Sequence, residues 1–131
     1  MTWQDGVYLA GRCLVQSGSI DQKYLDVIIS QTMYYGPYMF ITDKVMLAHA
    51  KPEDGVNKMD VSMTVFKNPV FFREGKRAEI IFVLAAVDHE KHLKILNDIL
   101  KIAENAEGIE RLIHAGSCEK ILEELGEILM N

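Results

Sequence analysis

The chain has 131 residues, 49% of them hydrophobic and 25% charged, with a formal net charge of −5. That length makes one domain that buries roughly two thirds of its unfolded surface around a single core, and the mixture excludes long disorder. The acidic balance, with no Lys/Arg cluster, excludes nucleic acid or an anionic membrane surface as the main partner, so any phosphate site has to be built locally.

In chain order, "TWQD" at Thr2 to Asp5 fits a capping box, and Val7, Leu9, Ala10, Leu14 and Val15 follow at helical spacing. "SGSIDQ" predicts a stop and a restart, with Gly18 as C-cap and Ser19 with Gln22 as a second capping box. Tyr24, Leu25, Ile28, Ile29 and Thr32 form the stripe of the second helix, which Gly36 and Pro37 end. The period then changes. "VMLA" is a short apolar run suited to a strand covered on both faces. "MDVSMTVF" alternates in part, "KNP" reads as a turn, "VFF" restarts, and "RAEIIFVLAA" is the strongest strand, ending at Ala86. Helical spacing returns through Leu93, Leu96, Ile99, Leu100 and Ala103, and two shorter helices close the chain around Ile109 to His114 and from Ser117 onward. The expected fold class is α/β: a small mixed β-sheet sandwiched by helices in a single compact domain over residues 1–131.

Cys13 and Cys118 lie far apart, without CxxC spacing, and read as reduced, buried thiols. The start has no basic region followed by a sustained apolar stretch, and no run reaches the ~18 apolar residues of a membrane span, so a cytoplasmic protein is expected.

The four histidines differ by position. His114 sits at a helix end before "AGS", where an imidazole complements the helix C-terminus. His89 falls in the first turn after Ala86 and reads as a solvent-facing residue. His49 ends one strand, and His92 lies in the first turns of the helix that follows another, with Asp88 as the expected N-cap. If those strands run parallel, both histidines reach one edge of the sheet, where open α/β proteins place ligands. The unpaired N–H groups and positive dipole end of that helix favour an anion beside His92, so the pair forms a candidate phosphate pocket. A lone strand-end histidine is more often a satisfied structural residue. The competing constellation is a metal site, with His89 and His92 spaced H-x-x-H and Glu53 or Asp54 joining His49; no third ligand is fixed by spacing. There is no G-x-S-x-G motif and no Gly-rich phosphate loop.

"YYGPYMFITDKVMLAHAKPEDGV", "VSMTVFKNPVFF", "EIIFVLAAVDHEKHLKIL" and "IERLIHAGSCEKILEEL" together resemble the fructose/mannitol-type enzyme IIA domain of the bacterial phosphoenolpyruvate-dependent sugar phosphotransferase system, over nearly the whole chain. "HAKPEDGV" is most similar to the ascorbate branch. Three positions depart from the fructose and mannitol pattern. Ala50 stands where a Gly usually follows the motif histidine, Ala48 stands where many members carry Pro, and no arginine lies near Met33 to Tyr35.

The resemblance implies that His49 is the phosphoacceptor and that His92 helps hold the phosphoryl group, aided by backbone N–H groups and the hydroxyl of Ser62 or Thr64. It implies the phosphocarrier HPr as donor, a cysteine of enzyme IIB as acceptor and the membrane enzyme IIC as an indirect partner. No cofactor and no metal are implied. The sugar expected is L-ascorbate, with fructose, mannitol or galactitol as alternatives. A regulatory phosphoacceptor of the same fold is the other reading, and the absence of a fused regulatory or membrane segment in these residues favours transport. Exposed residues of "YGPYMF" are either the docking rim or packing for a turn.

Overall fold

The computed structural model describes residues 1–130, the side chains of 89–91 excepted. Its layers follow from alternation along β3 (Arg77–Ala85), the middle strand of a three-stranded sheet. Ile81, Val83 and Ala85 point into one buried cluster, whereas Ile80, Phe82 and Leu84 point into a second on the opposite face. A strand covered on both sides needs apolar residues at every position, which explains the unbroken run "IIFVLA". Helices α1 (Trp3–Gln16) and α2 (Gln22–Tyr35) supply the first cluster with Val7, Ala10, Leu14, Tyr24, Leu25 and Ile28. Helices α3 (His89–Glu104), α4 (Ala106–Ile113) and α5 (Cys118–Met130) supply the second with Ile99, Ile102, Ile109, Leu112 and Ile128.

Strand β1 (Val45–Ala48) pairs parallel with β3, from Val45 opposite Ile80 to Ala48 opposite Val83. Strand β2 (Asp60–Phe71) pairs antiparallel on the other side, with Asp60 opposite Ala85. The sheet is therefore mixed, in the order β1-β3-β2. The outer edge of β1 is partly covered by residues 39–41: Leu47 N–H donates to the Met39 carbonyl and Ile41 N–H to that of Val45.

Local expectations fared unevenly. The Thr2/Asp5 capping box is present, with Asp5 N–H 3.1 Å from Thr2 Oγ1 and Thr2 N–H 3.2 Å from Asp5 Oδ2. The second box is not. The N-cap of α2 is Asp21, which makes no side-chain cap bond, and Ser19 is buried and donates to Asp60 Oδ2 at 2.6 Å. Ile20 forms a bridge with Val56, and this extended backbone delays the helix by two residues. The expected turn at "KNP" is instead an irregularity between Val65 and Val70 inside one continuous strand, and the chain reverses at Arg73–Gly75. Pro69 is accommodated because β2 is an edge strand and its pairing is interrupted there. Both cysteines are exposed, contrary to the buried thiols expected. His114 is the C-cap of α4, exposed, with its Nε2 3.4 Å from Glu110, as its position predicts.

Gly11 of α1 packs against the Leu25 side chain of α2. A Cβ built there falls 2.4 Å from Leu25 Cδ2 and 2.8 Å from Cδ1, inside contact distance. Overpacking of this kind costs about 1–3 kcal/mol, against which alanine returns up to about 1 kcal/mol of helix propensity. Gly11→Ala is expected to lose about 1 kcal/mol net, read as a lower urea midpoint at unchanged m-value. A midpoint at or above that of the parent would show that Leu25 moves aside without cost.

Candidate functional site

His49 is the first residue after β1, and its ring folds back so that Nδ1 lies 2.8 Å from the Leu47 carbonyl oxygen. A carbonyl only accepts, so Nδ1 carries a proton, and in the neutral ring the lone pair is on Nε2. Among the described residues Nε2 has no hydrogen-bond partner, and the residue is exposed. An imidazole held by one nitrogen, with the other left unprotonated and open, is arranged as a nucleophile.

Two features fix the segment that carries it. The hydroxyl of fully buried Tyr24, on α2, accepts from Ala50 N–H at 2.9 Å and donates to the Leu84 carbonyl at 2.6 Å. The polar turn Pro52–Asp54 is then clasped to the α1–α2 junction. Asp21 N–H donates to the Gly55 carbonyl at 2.8 Å, Asn57 N–H to that of Ser19 at 2.8 Å, and Asn57 Nδ2 to Asp21 Oδ1 at 2.9 Å. Gly55 is required at the clasp: its φ is +136°, and a Cβ would stand 3.3 Å from the Tyr24 backbone nitrogen. Sequence reading placed Tyr24 only in a helix stripe. Its polar tip in an apolar row was the one available signal.

Burial raises the phenol pKa of Tyr24 from its ordinary 10.0, and a weaker opposing effect comes from its bond to Ala50. A group that holds its proton more tightly when folded contributes stability that is present below pH 10 and is lost as the pH rises through the folded value. Burial similarly raises Tyr38, while the hydrogen bond to Asp26 raises Tyr8, so these share the effect. Denaturant midpoints are expected to fall above pH 10, and more shallowly in Tyr24→Phe. Parallel slopes in the two proteins would exclude Tyr24 as a source.

The strand ends bring the site together. Because β1 and β3 run parallel, His49 and the chain leaving β3 emerge at the same carboxyl edge, and α3 begins four residues after Ala85. Alternation along β1 puts His49 on the side of Val45 and Leu47, the face that α3 covers. Asp88 immediately precedes α3, and His92, partly buried, lies in its first turns. The parallel strands thus bring His49 and the start of α3, which carries His92, to one edge of the sheet.

Ser62 does not serve it, because its hydroxyl donates to the Ala10 carbonyl at 2.7 Å on the α1 face. Thr64 lies level with Met46, back from the strand ends and on the far side of β3. The His89 side chain of the H-x-x-H alternative lies outside the described residues, and among those described no group of three or more His, Cys, Asp or Glu is placed to hold a metal ion. Likewise, among the described residues no helix is long and apolar enough to cross a membrane.

"YGPYMF" divides. Phe40 packs edge-on to Phe72 at 5.1 Å, whereas Tyr35 and Tyr38 are 69% and 54% exposed, with their rings 6.1 Å apart. Pro37 and Met39 are buried and Phe40 packs against the core, whereas the two tyrosines form surface.

A family model, the EIIA 2 component of the phosphoenolpyruvate-dependent sugar phosphotransferase system, matches residues 1–128. The ascorbate-specific PTS system EIIA components of Shigella dysenteriae and Escherichia coli K12 are 28% and 27% identical to the chain over 125 residues, which cover 93% of it and 81% of each relative. A crystal structure reported as a PTS IIA (PtxA) from Streptococcus mutans superposes with a TM-score of 0.90 at 30% identity, covering 99% of this chain and 84% of that one. The mannitol-specific cryptic enzyme IIA CmtB of Escherichia coli shares the fold, with a TM-score of 0.88 at 24% identity over 96% of this chain and 86% of its own. A helix-flanked mixed sheet with a free imidazole nitrogen at its carboxyl edge, together with a match spanning nearly every residue, places this chain in the EIIA 2 family of the sugar phosphotransferase system, a phosphotransferase relay component.

Proposed function

We propose that His49 accepts a phosphoryl group from the phosphohistidine of HPr and passes it to a cysteine of enzyme IIB, in the cytoplasm, during L-ascorbate uptake through a membrane enzyme IIC. The observation that carries this reading is the Nδ1 contact with the Leu47 carbonyl, which leaves Nε2 as the nucleophilic nitrogen. In the first step the Nε2 lone pair attacks phosphorus. The donor P–N bond breaks, and its electron pair returns to the HPr imidazole. The resulting phosphoimidazole keeps its Nδ1 proton, which the Leu47 carbonyl stabilises as positive charge develops on the ring. In the second step a IIB thiolate attacks phosphorus, and the Nε2–P electron pair returns to His49.

The transition state spreads charge over the phosphoryl oxygens, and donors already in place hold it with no Lewis acid needed. His92 and the N–H groups at the start of α3 are the donors in reach of the edge, and the helix dipole favours the anion there. Ascorbate as the sugar is supported by the names of the curated relatives. A IIB partner is supported by the fold likeness to the Escherichia coli mannitol IIA solved in complex with its phosphorylated IIB, which has a TM-score of 0.79.

The test is incubation with phosphoenolpyruvate, enzyme I and HPr, followed by mapping under alkaline conditions, since phosphohistidine is acid-labile. Label is expected on His49 alone. Discharge by an ascorbate-type IIB, and not by a mannitol-type IIB, is expected to identify the sugar branch; label on any other residue would overturn the assignment.

A further inference from the structure

The hydrogen-bond pattern of β1 shows what Tyr24 does to the sheet. Leu47 N–H and the Val45 carbonyl face outward to residues 39–41, so Met46, Ala48 and, next, Ala50 turn their backbone groups toward β3. In a parallel ladder in which Ala48 is paired with Val83, the following bond would run from Ala50 N–H directly to the Leu84 carbonyl. The Tyr24 hydroxyl stands between those two groups, accepting from the one and donating to the other. The carbonyl of Ala50 also lies 3.3 Å from it, but its single proton goes to the closer Leu84 oxygen.

We infer that Tyr24 is a positioning residue for phosphoryl transfer: its hydroxyl is a one-oxygen wedge that ends the β1–β3 ladder at Ala48 and sets the angle at which His49 leaves the sheet. The inference rests on His49 being the phosphoacceptor. Without the wedge the ladder closes by one more direct bond, which draws Ala50 toward Leu84 and turns the residue between Ala48 and Ala50 with it. That residue is His49. The same hydroxyl is bonded to Leu84, one residue before β3 ends and five before α3 begins, so it ties the phosphoacceptor to the segment leading to His92.

Tyr24→Phe keeps the buried ring and removes only the wedge. With phospho-HPr as donor, kcat is expected to fall about tenfold to a hundredfold, the scale of a misplaced reacting group, with KM unchanged within about twofold because the docking surface is untouched. The imidazole 15N resonances of His49 are expected to shift in the same variant. Ile28→Val, which perturbs the same buried face of α2 with the hydroxyl intact, serves as the control and is expected to transfer at the parental rate.

A folded Tyr24→Phe with parental kcat overturns the inference while leaving the phosphoacceptor assignment standing. Equal slowing in Ile28→Val also overturns it, by showing general loosening of α2. A parental protein unlabelled at His49 overturns the assignment itself and this inference with it. Should Tyr24→Phe not fold, amide exchange in the parental protein decides: a protected Ala50 N–H supports the wedge, and a freely exchanging one removes it.

Discussion

His49→Gln is expected to abolish stable phosphorylation by phospho-HPr, with transfer reduced at least about 10³-fold, the scale on which enzymes lose rate when the nucleophile itself is removed. The expected loss is this large because the remaining donors act only on a group that something else has bonded. Gln carries no lone pair of comparable nucleophilicity on its amide nitrogen, and its carbonyl oxygen is a poor attacking group. The fold should be indifferent to the change. His49 is exposed, and its one recorded bond, Nδ1 to the Leu47 carbonyl, is worth about 1 kcal/mol, part of which the Gln amide can restore. Loss of label with a nearly unchanged melting temperature is therefore the expected pair of results. Residual label mapping elsewhere would show that the exposed imidazole is a bystander.

The sequence disclosed the layers because burial on two faces demands an unusual pattern, and "EIIFVLAA" has it. It also discloses that a parallel β1 and β3 bring His49 and the start of the helix carrying His92 to one edge, since a strand end and the start of the next helix are short-range features. The start of α2 and the course of β2 were not legible. Ser19 and Gln22 have the spacing of a capping box, but Ser19 is claimed by Asp60, 41 residues away, and Ile20 by Val56. A partner that distant leaves no local trace. Lys67–Asn68–Pro69 reads as a turn by composition, yet an edge strand tolerates the irregularity, because the missing N–H of Pro69 need not break a ladder on both sides. Tyr24 was hidden for the opposite reason. Its ring satisfies the helical stripe so well that its polar tip, the one local signal, says nothing of the distant backbone groups that the hydroxyl joins.

The same architecture explains how an acidic chain serves an anionic group. Its net charge of −5 opposes attraction at a distance, so on the proposed reading the phosphoryl group is delivered by a docked partner and held by local dipoles. The site is correspondingly an edge, where the ends of β1 and β3 and the beginning of α3 converge. Exposed Tyr35, the last residue of α2, and Tyr38, in the connection that leads to β1, add aromatic surface to the molecule.

His92→Gln separates holding from attacking. The nucleophile and its Leu47 contact remain, so phospho-HPr is expected to label His49 to full stoichiometry in this variant, though more slowly. Onward transfer to IIB is expected to fall about 10²-fold, the usual consequence of altering one preorganised donor to a developing anionic charge. The loss is expected to stop there, because on the proposed reading the N–H groups at the start of α3 remain as donors with their dipole intact. Gln keeps a neutral N–H donor but not the imidazole's reach or its capacity to carry charge, so partial function is the natural result. Single-turnover transfer from the labelled protein to IIB measures the effect without interference from the first step. A rate equal to the parent's would show that the two histidines, though carried to one edge of the sheet, do not act on the same phosphoryl group.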